Sequence, residues 1–282
     1  MVIIISLFGG GGQLAAASGP LQTPSDVAAG GLKKRDPSLM ISLDALLQML
    51  DNGREIVIVD IRDRAEFNRF RIPGSINVPL HFIKTKLFFK TKSLVLVDEG
   101  YAYSQLEKEC HNLKKVGFTV AILNGGLNCW RRHQGPLQGD RLAQRSLNII
   151  PPSAFFQEKE YDHWLVIDVS ESPLVEASRL LYDVFHIPFL NDSEKAIGRL
   201  SKIVATVAKQ RKTHFFSVLI FNQDGEGYDR FEKLIEKTDV KNVFYLQGGL
   251  KEYRRFLQNL TLSQKPKNKR IKSLRKCKTC GR

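Results

Sequence analysis

The sequence is poor in two features that would define its class, long apolar segments and cysteine. Outside residues 1–8, no apolar run approaches the roughly 18 residues that span a bilayer, so we predict no transmembrane segment in the mature chain. Only 4 cysteines in 282 residues exclude a disulfide scaffold, and 43% hydrophobic with 26% charged residues excludes a disordered or collagen-like chain. At about 100 to 200 residues per domain, this length predicts two globular domains.

Acidic residues are absent from the end of the chain. The formal net charge is +14, and residues 265–282 hold nine basic residues and no acidic one, so the rest of the protein is only mildly basic. We interpret residues 259–282 as a solvated basic tail. Because no aromatic residue is interleaved with its charges, the tail favours an anionic surface over specific recognition of a nucleic acid.

The same tail holds Cys277 and Cys280 in a CxxC pattern. Structural zinc sites need four ligands, and the tail offers neither a second CxxC nor a histidine, so we predict no zinc finger. The six histidines of the chain lack metal-ligand spacing, and we predict no metal centre and no cofactor. The remaining interpretation is a thiol or disulfide pair whose reactivity is raised by the neighbouring positive charge.

The start of the chain has the pattern of a secretory signal peptide. Val2–Phe8 is apolar, a glycine run follows, and Ala15–Ala17 fits a small-residue cleavage site, although the charged region that usually comes first is missing. Residues 1–17 therefore predict a periplasmic or secreted protein, whereas a disordered leader would leave it cytoplasmic. Residues 18–39 have Gly, Pro, Ser and Ala without apolar periodicity, and they are predicted to be a linker.

Three short patterns occur twice in the chain. The segment GFTVAILNGGLNCW is matched by VKNVFYLQGGLKEY, and each has a β-rich run, a Gly-Gly pair and a helix start. Upstream, EIVIVDIRD is matched by HWLVIDVSE, and SLVLVDEG is matched by SVLIFNQDG. The similar separations of the three pairs indicate two copies of one unit of about 110 to 120 residues, which we assign to residues 40–138 and 150–258.

Each copy alternates short apolar strands with helical stretches. Strands buried on both faces with helices between them predict an α/β fold, in which each copy forms a mainly parallel sheet flanked by helices. Functional loops lie at the carboxyl ends of such strands, which makes residues 98–104 and 222–228 the candidate site. The helices are predicted, from apolar spacings of three and four residues, at Leu43–Leu50, Ser104–Val116, Arg199–Gln210 and Asp229–Lys237.

These motifs resemble the rhodanese family, in tandem. VIVDIRDRAEFNRFRIPGSINVPL is similar to the family's strand, Asp-x-Arg and Ile-Pro-Gly sequence, and LNGGLNCW is similar to its Gly-Gly ending, so the resemblance covers roughly residues 40–132. The second copy resembles the family more weakly. Its HIPF segment aligns better with Asn77–Leu80 than with the Ile-Pro-Gly turn, so we expect that turn to be lost there. The resemblance implies the architecture of tandem sulfurtransferases, in which one domain is catalytic and the other is not.

The resemblance also implies a chemistry whose residues are missing here. Family members carry a cysteine at the end of the central strand, which takes sulfur from thiosulfate as a persulfide while backbone N–H groups stabilise the anions. The equivalent positions are Asp98 and Asn222, which cannot form a persulfide, and both loops are acidic without Arg or Lys. The degenerate loop positions are Asp98, Glu99, Gly100, Tyr101, Ala102, Tyr103 and Ser104, and Asn222, Gln223, Asp224, Gly225, Glu226, Gly227 and Tyr228.

The acidic loops lead to a functional hypothesis. A carboxylate at Asp98 would fill its own cradle of N–H groups as a fixed anion, and its pKa should then lie well below the usual value of about 3.9. We predict a catalytically inactive binding or scaffold protein that holds a protein or peptide partner with basic or hydrogen-bond-donating groups between its loop mouths. Two alternatives stay open: a thiosulfate sulfurtransferase or thiol-redox protein using Cys277 and Cys280, and an anionic-membrane or nucleic-acid binder acting through the tail.

Other conspicuous residues are predicted to be structural. Cys110 and Cys129 fall on apolar positions and should be buried. Asp60 and Asp168 end strands, where we expect them to cap a loop or pair with a base such as Arg62. The two Gly-Gly pairs should allow tight turns between strand and helix rather than bind phosphate. The histidines expected to be structural or exposed are His81, His163, His186 and His214.

Overall fold

A computed structural model describes residues 32–264, with the exception of residues 134, 182, 190–192, 213, 214, 237, 239 and 241. The described residues belong to one compact unit. The predicted signal peptide, most of the predicted linker, and Cys277 and Cys280 lie outside them. In the part of the chain that is described, no helix is long and apolar enough to cross a membrane.

The first half of the chain forms a five-stranded parallel sheet and a small antiparallel pair. The strands are β1 Met40–Ile41, β2 Ile56–Asp60, β3 Phe70–Arg71, β4 Ile76–Asn77, β5 Ser93–Val97, β6 Thr119–Leu123 and β7 Gln138–Gly139. The order in the large sheet is β1-β6-β5-β2-β4, and β3 pairs with β7.

The second half forms another five-stranded parallel sheet. Its strands are β8 Ile149–Ile150, β9 Trp164–Asp168, β10 Val184–His186, β11 Ser217–Phe221 and β12 Val243–Leu246. Read from β8, the order is β8-β12-β11-β9-β10, which repeats the order β1-β6-β5-β2-β4 of the first sheet. The register repeats too, because His186 pairs with Asp168 as Asn77 pairs with Asp60. The HIPF segment therefore lies where the sequence alignment placed it.

Helices cover both sheets. Their bounds are α1 Leu43–Asp51, α2 Arg64–Arg69, α3 Tyr103–Lys115, α4 Gly126–Arg132, α5 Arg141–Gln144, α6 Pro152–Glu158, α7 Ala177–Leu180, α8 Ser193–Arg211, α9 Tyr228–Ile235 and α10 Gly249–Gln264, and 3-10 helices occupy Pro37–Leu39, Leu80–Thr85 and Leu87–Thr91. The four predicted helices are confirmed as α1, α3, α8 and α9. Helix α8 begins at Ser193 rather than at Arg199, because Ala196 continues the buried spacing of Leu200 by one more turn.

The central strands are apolar because both of their faces are covered. Every residue of β9 and of β11 is buried, and the innermost positions of β5 and β6 are buried as well. Removing such a Leu, Ile or Phe side chain from water contributes roughly 1.5 to 3 kcal/mol. The predicted α/β class, with mainly parallel sheets flanked by helices, is confirmed.

The fold extends past two of the predicted boundaries. Residues at the end of the predicted 18–39 linker are structured, since Asp36 caps the first 3-10 helix and Leu39 is buried in the core. Lys33 also forms a β-bridge with Tyr161, which ties this segment to the second half. At the other end, α10 continues to Gln264, so the first residues of the predicted tail, 259–264, are helical.

Candidate functional site

The backbone of the loop that follows β5 donates hydrogen bonds to a carboxylate of the same loop. Asp98 accepts the N–H of Gly100 through Oδ1 at 2.9 Å and the N–H of Ala102 through Oδ2 at 3.0 Å. Asp98 is buried, with only 2% of its surface exposed. The side chain therefore occupies the cradle of N–H groups, as the sequence led us to expect.

The protonation of this carboxyl group differs from the expectation. Burial raises the pKa of Asp98, and the nearby charge of Asp60 adds to the rise, while hydrogen bonds from the Ala102 and Gly100 N–H groups oppose it. Burial and Asp98 together raise the pKa of Glu99 to about 7. The predicted low pKa is wrong because the cost of removing the charge from water exceeds the gain from two N–H donors. The raised pKa argues against a permanently charged anion at Asp98.

An ion pair lies beneath the loop. Arg62 donates through Nη2 to Oδ2 of Asp60 at 2.8 Å and to the carbonyl of Phe70 at 2.7 Å. Asn77 donates through Nδ2 to the carbonyls of Asp60 and Arg62 at 3.0 and 2.8 Å, and so holds β4 against β2. The predicted structural pairing of Asp60 with Arg62 is confirmed. With both partners buried, removing either would leave an uncompensated charge in the core.

The second half of the chain covers the first loop. Glu158, at the end of α6, accepts the N–H of Ser104 at 3.2 Å and its hydroxyl group. The ring of Tyr101 meets the ring of Phe244 edge-on, with centroids 5.7 Å apart. Burial raises the pKa of Glu158 to about 7. Glu158 of α6 and Phe244 of β12 therefore cover one side of this loop, which the sequence predicted to be an acidic mouth.

Arg35 completes this contact, and sequence reasoning missed it. Its guanidinium carbon lies 3.4 Å from the centroid of the Tyr103 ring, and its Nε donates to Oε1 of Glu107 at 3.3 Å. The other edge of the contact is His163, whose ring centroid is 5.3 Å from that of Tyr103. Arg35 and Glu158 belong to no motif, since Tyr103 and Glu107 are distant from Arg35 in the chain and Glu158 binds Ser104 of the other half.

The loop that follows β11 is built alike but faces solvent. Asn222 accepts the Gly225 N–H through Oδ1 at 2.7 Å and donates through Nδ2 to the Glu226 carbonyl at 2.9 Å. Asp224 accepts the Glu226 N–H at 3.0 Å. The side chains of Gln223, Asp224 and Glu226 are exposed. In this half Asp168 accepts the N–H groups of Ser170 and Leu174, so it caps a loop as predicted.

A glycine pair presses against each loop from the side. Gly126 and Gly249 have φ angles of +48° and +59°, and a Cβ atom on either would lie 2.5 Å from the carbonyl oxygen of Asp98 or Asn222. The helices that start there also bind the loops, since Leu127 N–H donates to the Asp98 carbonyl and Leu250 N–H to the Asn222 carbonyl. The prediction that the glycine pairs serve tight turns is confirmed.

The remaining candidates are structural or exposed where they are described. Cys110 and Cys129 are buried, and burial raises the pKa of Cys110 to about 12. His163 is buried, and the loss of water lowers its pKa well below the usual value. His81 is exposed, and His186 bonds through Nε2 to the Ser170 carbonyl at 2.8 Å. His214, Cys277 and Cys280 lie outside the described residues, and within them no cluster of His, Cys, Asp or Glu is placed to hold a metal ion.

Comparison with known proteins points to one domain family. Residues 42–133 match the family model of the rhodanese-like domain. A sulfurtransferase of Allochromatium vinosum is 29% identical over 98 residues, which cover 34% of this chain and 92% of that protein. These matches support a rhodanese-like domain in the first half of the chain.

Two solved structures give weaker likenesses. The rhodanese-like domain of an Anabaena protein is 25% identical over 36% of this chain and 79% of its own, with a TM-score of 0.32. A thiosulfate sulfurtransferase of Pseudomonas aeruginosa is 16% identical over 77% of this chain and 42% of its own, also with a TM-score of 0.32.

Proposed function

We propose that the protein is a tandem rhodanese-like protein that does not transfer sulfur and instead binds a protein or peptide partner. One observation carries the proposal. In both loops the N–H groups that would receive a sulfur anion are already bonded to an oxygen of the chain, on Asp98 in one copy and on Asn222 in the other. A carboxyl or amide group cannot accept sulfur as a persulfide.

The repeated geometry supports two copies of one domain. The strand order is the same in both sheets, and each central loop is pressed by a glycine pair with positive φ angles. The N–H groups at the start of α4 and α10 donate to the same two carbonyls of the respective loops, those of Asp98 and Glu99 in one and Asn222 and Gln223 in the other. Such detailed repetition is expected of a duplicated unit.

The surroundings of the loops also disfavour thiosulfate. The first loop is closed off by Glu158 and Phe244, so a donor anion has no free path to Asp98 from that side. The second loop exposes the carboxylates of Asp224 and Glu226, which repel an anion. The two thiols of the described residues do not compensate, because Cys110 and Cys129 are buried outside both loops.

The second loop is the surface that we assign to the partner. Gln223, Asp224 and Glu226 project from a backbone that is held rigid by the Asn222 hydrogen bonds. A rigid acidic loop loses little entropy when a basic group binds to it. The chemistry of the partner is therefore a segment with Lys, Arg or other hydrogen-bond donors.

A sulfur-loading experiment tests the catalytic half of the proposal. The purified full chain is incubated with thiosulfate, thiocyanate formation from cyanide is measured, and peptides are mapped by mass spectrometry. We expect no turnover and no added sulfur within residues 32–264. Sulfur found on either described cysteine would overturn the proposal. Sulfur confined to the tail and lost in Cys277→Ser would support the alternative in which the tail thiols act.

A binding experiment tests the other half. Fluorescence anisotropy measures the affinity of the full chain for a labelled oligo-lysine peptide, in the wild type and in the variant with Asp224→Asn and Glu226→Gln. We expect the double variant to weaken binding by about three- to tenfold, because each exposed carboxylate contributes up to about 1 kcal/mol. Glu236→Gln, which removes an exposed carboxylate from the far end of α9, is the matched control. Equal affinity in all three proteins would contradict the assignment of the loop.

A further inference from the structure

A cleft of about 880 Å³ lies between the two halves, apart from both loops. The first half contributes the start of α1 and the region of α4, and the second half contributes α8 and the starts of β11 and β12. This volume falls within the range of roughly 300 to 1,000 Å³ that is typical of small-molecule sites. The proposed function makes no use of the cleft.

The walls of the cleft are mostly apolar. One stripe of α8, including Val204, Ala205 and Ala208, lines the cleft together with Leu43 of α1, and Phe216 adds an aromatic wall. The spacing of three and four residues puts these α8 side chains on one face of the helix. A flat or elongated apolar group that entered the cleft would be removed from water on several sides at once.

Two acceptor atoms in the cleft wall lack a donor. The side-chain oxygens of Asn124 and Asn242 are buried and have no hydrogen-bond partner among the described residues. Asn242 is 5% exposed, and its amide is oriented by donation through Nδ2 to the hydroxyl oxygen of Ser217 at 2.6 Å. These two oxygens expose almost no surface, and the Asn242 oxygen lies against Gly125, so neither is open to a ligand in the cleft.

The charge of the cleft is positive on balance. Lys209 and Lys212, at the end of α8, line it on one side, and Asp44 is an acidic residue of its lining. Two ammonium groups beside one carboxylate favour an anion over a cation. Apolar walls and a cationic end together describe one class of ligand.

We propose that this cleft binds a small amphipathic anion, with an apolar body against α8 and its acidic group toward Lys209 and Lys212. The site is independent of sulfur transfer and of the acidic loop. Its occupant would bridge the two halves, because both contribute walls. Binding would therefore also stabilise the arrangement of the halves.

The test uses anilinonaphthalene sulfonate, a fluorescent anion that has aromatic rings and an N–H group. Fluorescence titration of the full chain should show one saturable site. Ala205→Trp, which fills the cleft, should weaken binding by at least about tenfold, a loss of roughly 1.4 kcal/mol. Thr206→Trp, one residue further along α8 at an exposed position that does not line the cleft, should leave the affinity unchanged.

The charge is tested with a second probe. The double variant with Lys209→Gln and Lys212→Gln should weaken binding of the sulfonate by about three- to tenfold. It should leave unchanged the binding of phenylnaphthylamine, which has the same rings and N–H group without the acid. Thermal melting confirms that each variant is folded. Absence of saturable binding, equal effects of the two Trp variants, or equal loss of both probes in the Lys variant would each overturn the proposal.

Discussion

The loop after β5 and the loop after β11 have the same backbone plan in opposite surroundings. In each, a side-chain oxygen at the first position accepts an N–H from a glycine of the same loop, and a glycine pair packs alongside. The first loop is covered by Glu158 and Phe244, whereas Gln223, Asp224 and Glu226 of the second are exposed. Burial therefore makes the first loop part of the contact between the two halves and leaves the second loop as an exposed surface.

The two loops also differ in their electrostatics. The buried loop collects carboxyl groups whose pKa values are raised, to about 7 for Glu99 and for Glu158. Water around the exposed loop screens the charges of Asp224 and Glu226. Substitutions at equivalent positions should thus have unequal effects, and the following predictions run from the largest to the smallest.

The glycine pair of the buried loop should be the most sensitive position. Gly126→Ala should lower the free energy of unfolding by about 3 kcal/mol or more, because the new Cβ would lie 2.5 Å from the Asp98 carbonyl oxygen and φ is +48°. Urea unfolding followed by circular dichroism measures the change. Gly198→Ala, within α8 and with open space around it, should instead stabilise by about 0.5 to 1 kcal/mol. A mild effect at Gly126 would show that the loop and α4 separate easily.

The buried contact at Glu158, between the two halves, should make the free energy of unfolding depend on pH. The folded pKa of Glu158 is raised to about 7 from 4.5, so between these values the folded state binds more protons than the unfolded state. Its contribution is present at low pH and is lost as the pH rises through about 7, which should cost on the order of 2 kcal/mol. Glu158→Gln should reduce this loss, leaving the part due to Glu99. Melting curves recorded between about pH 5 and pH 8 test this prediction, because most of the loss falls within this range.

Shortening the first residue of each loop should lower the free energy of unfolding by different amounts. Asp98→Ala leaves two N–H groups unpaired in a buried site and should destabilise by about 2 kcal/mol. Asn222→Ala leaves the Gly225 N–H to water and should cost about 0.5 to 1 kcal/mol. Chemical denaturation of the two variants under the same conditions gives the comparison. Equal losses would mean that the first loop is as open to water as the second.

The exposed carboxylate of Glu226 should matter least for stability. Glu226→Gln should change the free energy of unfolding by no more than about 0.5 kcal/mol, as expected of a surface substitution. The control is Glu158→Ala, which removes the acceptor of the Ser104 N–H and hydroxyl groups at the contact between the two halves. Thermal melting of both should separate a surface position from a structural one, and comparable shifts would contradict the contrast between the loops.

Much of the local structure could be predicted because it depends on neighbours in the chain. The strand that ends at Asp60 and its pairing with Arg62 follow from a short motif, and the turns at the glycine pairs follow from the freedom of glycine at positive φ. The burial of Cys110 follows from helical spacing. The start of α8 and the ordered residues before Leu39 were missed, because their apolar contacts are made with distant segments.

The amino-acid sequence alone determined the α/β class, the strands, the two loops and the residues that occupy them, since these depend on hydrophobic pattern and on local hydrogen bonds. Only the tertiary structure decided that one loop is covered, that Arg35 lies on Tyr103, and that a cleft opens beside α8. It also decided the raised pKa of Asp98. The physical reason is that burial and desolvation depend on which surfaces the two halves bring together, and no short stretch of sequence contains both surfaces.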